Sequence, residues 1–161
     1  MIVEMGVAEE IGERVLYIDA NNSATATFSE KFIQHGPFKN RKWTGSKMVH
    51  VTTMDDRIRE HGKPVFCKVD VEGYELNVFK GLSTAIPSLS FEYSRGFLDD
   101  TESCLSLLGE LGQMRLNYAP TFDFTRLALK EWIDDPEYLL TEISNSSIEY
   151  SGDIFVKFEQ D

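Results

Sequence analysis

The stretch of sequence that decides the fold is Val65-Phe66-Cys67-Lys68-Val69-Asp70-Val71-Glu72-Gly73-Tyr74-Glu75. Three valines and a cysteine alternate with larger or charged residues, which is the pattern of a β-strand, and a glycine then leads into a helix. A central strand of an α/β sheet is covered on both faces, where an unpaired carboxylate is costly. We therefore expect a buried strand at 65–71 with Asp70 and Glu72 at its carboxyl end, where open α/β sheets bind ligands.

Strands and helices alternate on both sides of this stretch. The patterns predict further strands at 1–8, 13–19, 48–52, 88–93, 114–118 and 153–158. They predict helices at 28–34, 54–61 and 73–81, a fourth from Asp99 or Thr101, and a fifth begun by Asp134-Asp135-Pro136. The basic segment 39–47 is predicted to be a solvated loop. This order indicates an α/β fold with a mostly parallel sheet, closed by an antiparallel hairpin of 114–118 and 153–158.

Length and composition indicate an ordinary globular protein. A chain of 161 residues with 42% hydrophobic residues is expected to form a single domain, 1–161. No apolar run approaches the roughly 20 residues that cross a membrane, and the start is not that of a signal peptide, so a cytoplasmic location is expected. Cys67 and Cys104 form no CxxC pair, and Cys67 is expected to be a buried, unreactive thiol.

The charge of the chain argues against a nucleic-acid partner. The net charge is -11, and residues 81–161 contain 15 acidic residues against 5 basic ones. Binding to phosphate relies on lysine and arginine, so neither nucleic acid nor a membrane surface is an expected partner.

A second acid belongs to the expected site. Glu92 ends the strand that follows 65–71, and neighbouring parallel strands bring their carboxyl ends to one edge of the sheet. Such carboxylates can serve as a general base, bind a divalent cation, or hold substrate hydroxyls or amines. Two structural roles remain open: Glu72 as a helix cap, and an ion pair between Lys68 and Asp70. The three histidines have no metal-ligand spacing, so no metal site is expected from them.

The chain resembles the FkbM family of S-adenosylmethionine-dependent methyltransferases. The resemblance rests on Val51-Thr52-Thr53-Met54-Asp55-Asp56-Arg57-Ile58, Lys68-Val69-Asp70-Val71-Glu72-Gly73-Tyr74-Glu75, Val78-Phe79-Lys80-Gly81-Leu82 and the run from Pro87 to Glu92. Gly6-Val7-Ala8 is similar to the family's third strand, and 153–158 to its last. The resemblance implies a Rossmann-like class I methyltransferase fold and S-adenosylmethionine as cofactor.

The resemblance covers about the carboxyl two-thirds of the family domain. The family's first strand, with its glycine-rich cofactor turn, and its second strand, which ends in a ribose-binding acid, have no counterpart here, and the 11 glycines contain no G-x-G. The domain is therefore expected to be truncated at its amino end. Ala8 and Glu9 match the region near the adenine, and Asp70 the region near the transferable methyl group. We expect 1–8 to pair with 65–71, or another chain to fill the gap.

The implied activity is O-methyl transfer to a hydroxyl of a sugar or small metabolite. Asp70 would act as base or orient the acceptor, Glu72 would support it or cap the helix, and Glu92 and Tyr93 would face the substrate. This chain alone would be incomplete, working as a homo-oligomer or with a complementing chain. The alternatives are a non-catalytic pseudo-enzyme or partner-binding module derived from the fold, and a metal-dependent hydrolase that uses Asp70 and Glu92.

Overall fold

The computed structural model describes residues 2–19, 22–37, 39–120, 126–146 and 151–159. The described strands are β1 (Gly6–Val7), β2 (Gly12–Asp19), β3 (Trp43–Thr52), β4 (Phe66–Val69), β5 (Ser88–Ser94), β6 (Met114–Pro120) and β7 (Ser151–Phe158). The helices are α1 (Glu30–His35), α2 (Met54–His61), α3 (Glu75–Lys80), α4 (Leu98–Gly109) and α5 (Pro136–Asn145). The α/β class is thereby confirmed. None of the described helices is long and apolar enough to cross a membrane.

The described residues form two compact units. The first contains the chain up to Lys63 together with Val71–Ser83, and the second contains Pro64–Asp70 and the chain from Thr84 onward. Neither unit is one continuous stretch, because the chain passes from one to the other after Lys63, Asp70 and Ser83. The assignment of 1–161 to a single domain stays a prediction.

The first unit is built on a three-stranded sheet of order β1-β3-β2. β2 and β3 run antiparallel, and β1 runs parallel to β3 with Gly6 opposite Val51. The expected pairing of 1–8 with 65–71 is wrong: only Gly6–Val7 form a strand, and they pair with Val51–Thr52 instead. A Cβ at Gly6 would lie 2.9 Å from the Val51 side chain, so the missing side chain lets β1 approach β3 closely.

The basic segment forms a strand for half of its length. β3 begins at Trp43 rather than at 48, so the prediction of a loop over 39–47 is wrong from Trp43 on. The reason is that β2 offers eight residues of antiparallel pairing, from Gly12 to Asp19, which extends well beyond the apolar part of β3. At the other end of β3, the Thr53 hydroxyl accepts a hydrogen bond from the amide of Asp56 at 3.1 Å and starts α2 as predicted.

The second unit is built on a four-stranded sheet of order β4-β5-β7-β6. β4 and β5 are parallel, whereas β7 lies between β5 and β6 and is antiparallel to both. The predicted closing hairpin is therefore confirmed, with Met114 opposite Phe158. The prediction of a mostly parallel sheet is wrong: of the strand pairs in the described residues, two are parallel and three antiparallel.

β4, the strand of the motif at 65–71, lies at an edge of its sheet. Among the described strands β4 pairs only with β5, and the side chains of Val65 and Phe66 are 80% and 49% exposed. The expectation of a central strand covered on both faces is therefore wrong. The apolar core of this unit lies instead around β5, β6 and β7, where Leu89, Leu116, Ile154 and Val156 are fully buried.

Candidate functional site

Two carboxylates meet at the carboxyl ends of parallel neighbours. Asp70 directly follows β4, Glu92 lies near the end of β5, and Val69 is paired with Phe91 between the two strands. Their carboxylate oxygens lie within 4.8 Å of each other. Asp70 is half exposed and Glu92 is partly buried. The strand register alone produces this arrangement, because residues that follow paired positions share the same edge of a sheet.

A lysine and a third acid belong to the same group. Lys68 Nζ lies 2.7 Å from Asp153 Oδ1 and 3.3 Å from Asp70 Oδ2. Asp153 is opposite Glu92 in the pairing of β5 with β7, and its side chain is buried. Partial burial favours a lower pKa for Lys68, but the ion pairs with Asp153 and Asp70 outweigh it and raise that pKa. The ion pair between Lys68 and Asp70, one of the two structural roles left open, is present.

Glu72 lies in a turn with a left-handed backbone. Its φ is +52° and that of Gly73 is +84°, a conformation that favours glycine and is uncommon for glutamate. The Thr27 hydroxyl donates a 2.7 Å hydrogen bond to the Glu72 carbonyl, and a Glu75 carboxylate oxygen accepts from the amide of Gly73 at 3.4 Å. Glu72 does not occupy the cap position of α3, which belongs to Tyr74. The turn therefore fixes the backbone of Glu72 rather than using it as a cap.

Tyr93 is a buried residue of β5. It is 3% exposed, and its ring packs edge-on against Tyr118 with 6.2 Å between centroids. A Cβ at Gly152 would lie 2.9 Å from the Tyr93 hydroxyl oxygen, so β7 also packs tightly on this ring. Contact of Tyr93 with a substrate stays a prediction.

The two residues expected near the adenine have different environments. Ala8 has no exposed surface, and its carbonyl oxygen would lie 2.5 Å from a Cβ at Gly81. Glu9 receives hydrogen bonds from Arg14 at 2.8 Å, from Tyr74 at 3.1 Å and from Asn77 at 3.3 Å. Burial alone would raise the pKa of Glu9, but these donors lower it to about 2.

These residues do not fit a cofactor site by themselves. Both Glu9 carboxylate oxygens already accept hydrogen bonds within the first unit, and Ala8 offers no accessible surface. The sequence contains no G-x-G turn that could receive the methionine portion. Ala8 and Glu9 therefore do not by themselves form a site for S-adenosylmethionine.

Asp153 is the residue of this group that the sequence reading missed. The sequence pattern places it only in the last strand, 153–158. A usable signal was present: Asp153 precedes the apolar run Ile154-Phe155-Val156, so a buried position was to be expected, and a buried acid needs a cationic partner. Lys68 is that partner.

Comparisons with known proteins agree with the sequence motifs. A scan against protein families matched the methyltransferase FkbM domain over residues 1–132. Neither the curated proteins nor the solved structures gave a match. The matched range includes Asp70, Glu72 and Glu92, and it covers most of the 161 residues. The chain belongs to the FkbM methyltransferase family.

Proposed function

We propose that this chain serves in methyl transfer from S-adenosylmethionine to a hydroxyl of a sugar or small metabolite, within an assembly that completes the cofactor site. The family itself points to methyl transfer. The observation that supports the acceptor side is the meeting of Asp70 and Glu92 at the carboxyl ends of two parallel strands. When bound, the cofactor would supply an electrophilic methyl group.

Asp70 is the proposed base. Its carboxylate is half exposed and therefore accessible to an acceptor, and its Oδ2 lies 3.3 Å from the Lys68 ammonium. It would accept the hydrogen bond of the acceptor hydroxyl and take up its proton. Glu92 would hold a neighbouring hydroxyl of the acceptor. A substrate contact for Tyr93 and a supporting role for Glu72 also remain part of the proposal. Neutral hydroxyl acceptors also suit a chain of net charge -11, which disfavours nucleic acid and acidic membrane surfaces as partners.

A further strand is proposed to complete the sheet along β4. Val65 and Phe66 are exposed there, and no described strand pairs with the second edge of β4. An open apolar edge is a template for another strand. We propose that a second copy of the chain, or a complementing polypeptide, supplies it. Cys67 and Cys104 form no disulfide, and disulfides are rare in the cytoplasm, where we propose that the protein works.

The test is calorimetric titration of the purified chain with S-adenosylhomocysteine, at protein concentrations on both sides of any self-association seen by sedimentation. Binding in the micromolar range, with no heat from adenosine triphosphate, supports the proposal, and binding only in the associated form supports completion by a second copy. If S-adenosylhomocysteine does not bind at any concentration, the proposal is overturned for the chain acting with itself.

A non-catalytic module derived from the methyltransferase fold is the second candidate. It is favoured by the environment of Ala8 and Glu9, whose groups are already used in packing and hydrogen bonds. The two candidates differ in the role of Asp70. In a non-catalytic module Asp70→Asn would leave the function unchanged, whereas in the enzyme it would abolish most of the activity.

A further inference from the structure

We infer that Lys68 and Asp153 are positioning residues that orient Asp70 toward the acceptor. The inference rests on the proposed function, because it concerns how the proposed base is held. Nothing in the family match assigns a role to either residue. The contacts that hold Asp70 connect three strands of the second unit, β4, β5 and β7.

Strand register places the whole group on one face of the sheet. Lys68 is paired with Ser90, and Ser90 with Phe155, two positions from Asp153 on β7. Side chains two residues apart share a face, so Lys68, Ser90 and Asp153 lie on the same side. Ser90 is small and buried, and Lys68 reaches across β5 to a strand with which β4 does not pair.

The burial of Asp153 makes the lysine necessary. Asp153 is 8% exposed, and a carboxylate so buried needs a cation or several hydrogen-bond donors. Lys68 provides the cation at 2.7 Å. Asp153 therefore holds the ammonium group in place, because it is the more buried of the two acids and makes the shorter contact.

The fixed ammonium then constrains Asp70. Its second contact, at 3.3 Å, is with Oδ2 of a carboxylate that is half exposed and follows the last residue of β4. Without Lys68, the Asp70 side chain would be free to choose among its rotamers. A misplacement of a reacting group by about 1 Å can cost about 100-fold in rate, so a base at a strand end gains from such a contact.

The first test does not depend on activity. The ¹³C resonance of the Asp70 carboxylate is measured at pH 7 in the wild type and in the variants Lys68→Met, Asp153→Asn and Lys63→Met. We expect the resonance to move in both variants, because Lys68→Met removes the ammonium and Asp153→Asn removes the carboxylate that holds it in place. Lys63→Met is the matched control: Lys63 is exposed and precedes the same strand, and its loss should leave the resonance in place. A resonance that stays unchanged in Lys68→Met overturns the inference.

The second test uses methyl transfer by the S-adenosylhomocysteine-binding form of the protein. We expect Lys68→Met to lower kcat by about 10- to 100-fold with little change in KM. In an Asp70→Asn background, the same change should have almost no further effect, because residues that act through one group are non-additive. Equal effects in both backgrounds contradict the inference. If the wild type transfers no methyl group while the Asp70 resonance still responds to Lys68→Met, the proposed function fails and the positioning contact stands.

Discussion

Asp70 is the single residue on which the proposed chemistry depends most. We expect Asp70→Asn to lower methyl transfer by about 10²- to 10⁴-fold, because an amide cannot take up the proton of the acceptor hydroxyl. The affinity for S-adenosylhomocysteine should change little. Radiolabelled methyl transfer and calorimetry measure the two effects separately. Glu102→Gln, an exposed acid on α4, serves as control and should retain the activity of the wild type.

The lowered pKa of Glu9 makes the free energy of unfolding depend on pH. Its pKa in the folded protein is about 2, against an ordinary value of 4.5, so the charged form stabilises the fold above pH 4.5 and this contribution is lost as the pH falls from 4.5 toward 2. Glu9→Gln should lower the free energy of unfolding by about 1 kcal/mol at pH 7, since the ion pair is partly exposed. Urea unfolding at pH 7 and pH 3 measures this. Glu10→Gln, which removes a more exposed contact with the same Arg14, should have a smaller effect.

Substitution of Gly73 is expected to lower the stability of the protein strongly. Its φ is +84°, and an added Cβ would lie 2.5 Å from Cδ2 of Phe32. We expect Gly73→Ala to cost about 2 to 4 kcal/mol, from backbone strain together with overpacking. Gly62→Ala is the control for backbone strain without overpacking: Gly62 has a φ of +88° and a ψ of +163°, with nothing within 4 Å of its Cβ position, and the substitution should cost about 1 to 3 kcal/mol from strain alone. Equal losses in urea unfolding would mean that the contact with Phe32 contributes nothing.

At the scale of single elements, the exposed edge of β4 allows a test of the proposed association with a second copy of the chain. We expect Phe66→Lys to weaken self-association, because a charge on an exposed strand edge discourages further strand pairing. Sedimentation velocity over a range of concentrations measures the effect. Tyr138→Lys, which changes an exposed aromatic residue on α5 rather than on a strand edge, should associate like the wild type. Association that is unaffected by Phe66→Lys would exclude this edge as the interface.

The positions of helices and strands along the chain were easier to predict than the pairing of the strands. Local signals located most of the helices and strands to within a few residues: Thr53 as a cap, Pro136 at the start of α5, and apolar alternation in β5. Pairing was harder, because it depends on which strand edges are available rather than on local pattern. The motif at 65–71 looks the same whether its strand is central or at an edge, and only the sheet order distinguishes the two.

The candidate site could likewise be predicted in part from the sequence. Asp70 and Glu92 could be expected together, since both lie at or near the carboxyl ends of the two parallel strands of one βαβ unit. Asp153 could not be connected with them from sequence, because it lies 61 positions beyond Glu92 and reaches the site only through the pairing of β5 with β7. The hydrogen bonds that Glu9 accepts from Tyr74 and Asn77 were equally hard to predict, because these residues lie 65 and 68 positions beyond it.

At the scale of the whole molecule, the two tryptophans test whether 1–161 unfolds as a single domain. Trp43 belongs to the first unit and Trp132 to the second, so Trp132→Phe leaves a reporter of the first unit and Trp43→Phe a reporter of the second. We expect the two urea transitions to coincide, because each unit is assembled from separated stretches of the chain. Separate midpoints, corrected for the stability of each variant by circular dichroism, would show two independent domains.

The position of β7 has a consequence for the order in which the protein can be made. β7 is the last described strand in the sequence, yet it lies between β5 and β6. Until the residues of β7 have been added and have left the ribosome, β5 and β6 lack the neighbour that separates them. Nascent chains at this stage expose two apolar edges that the finished sheet covers, and such edges attract chaperones or other nascent chains. Slow translation between Pro120 and Ser151 would therefore lower the yield of folded protein more than slow translation before β5.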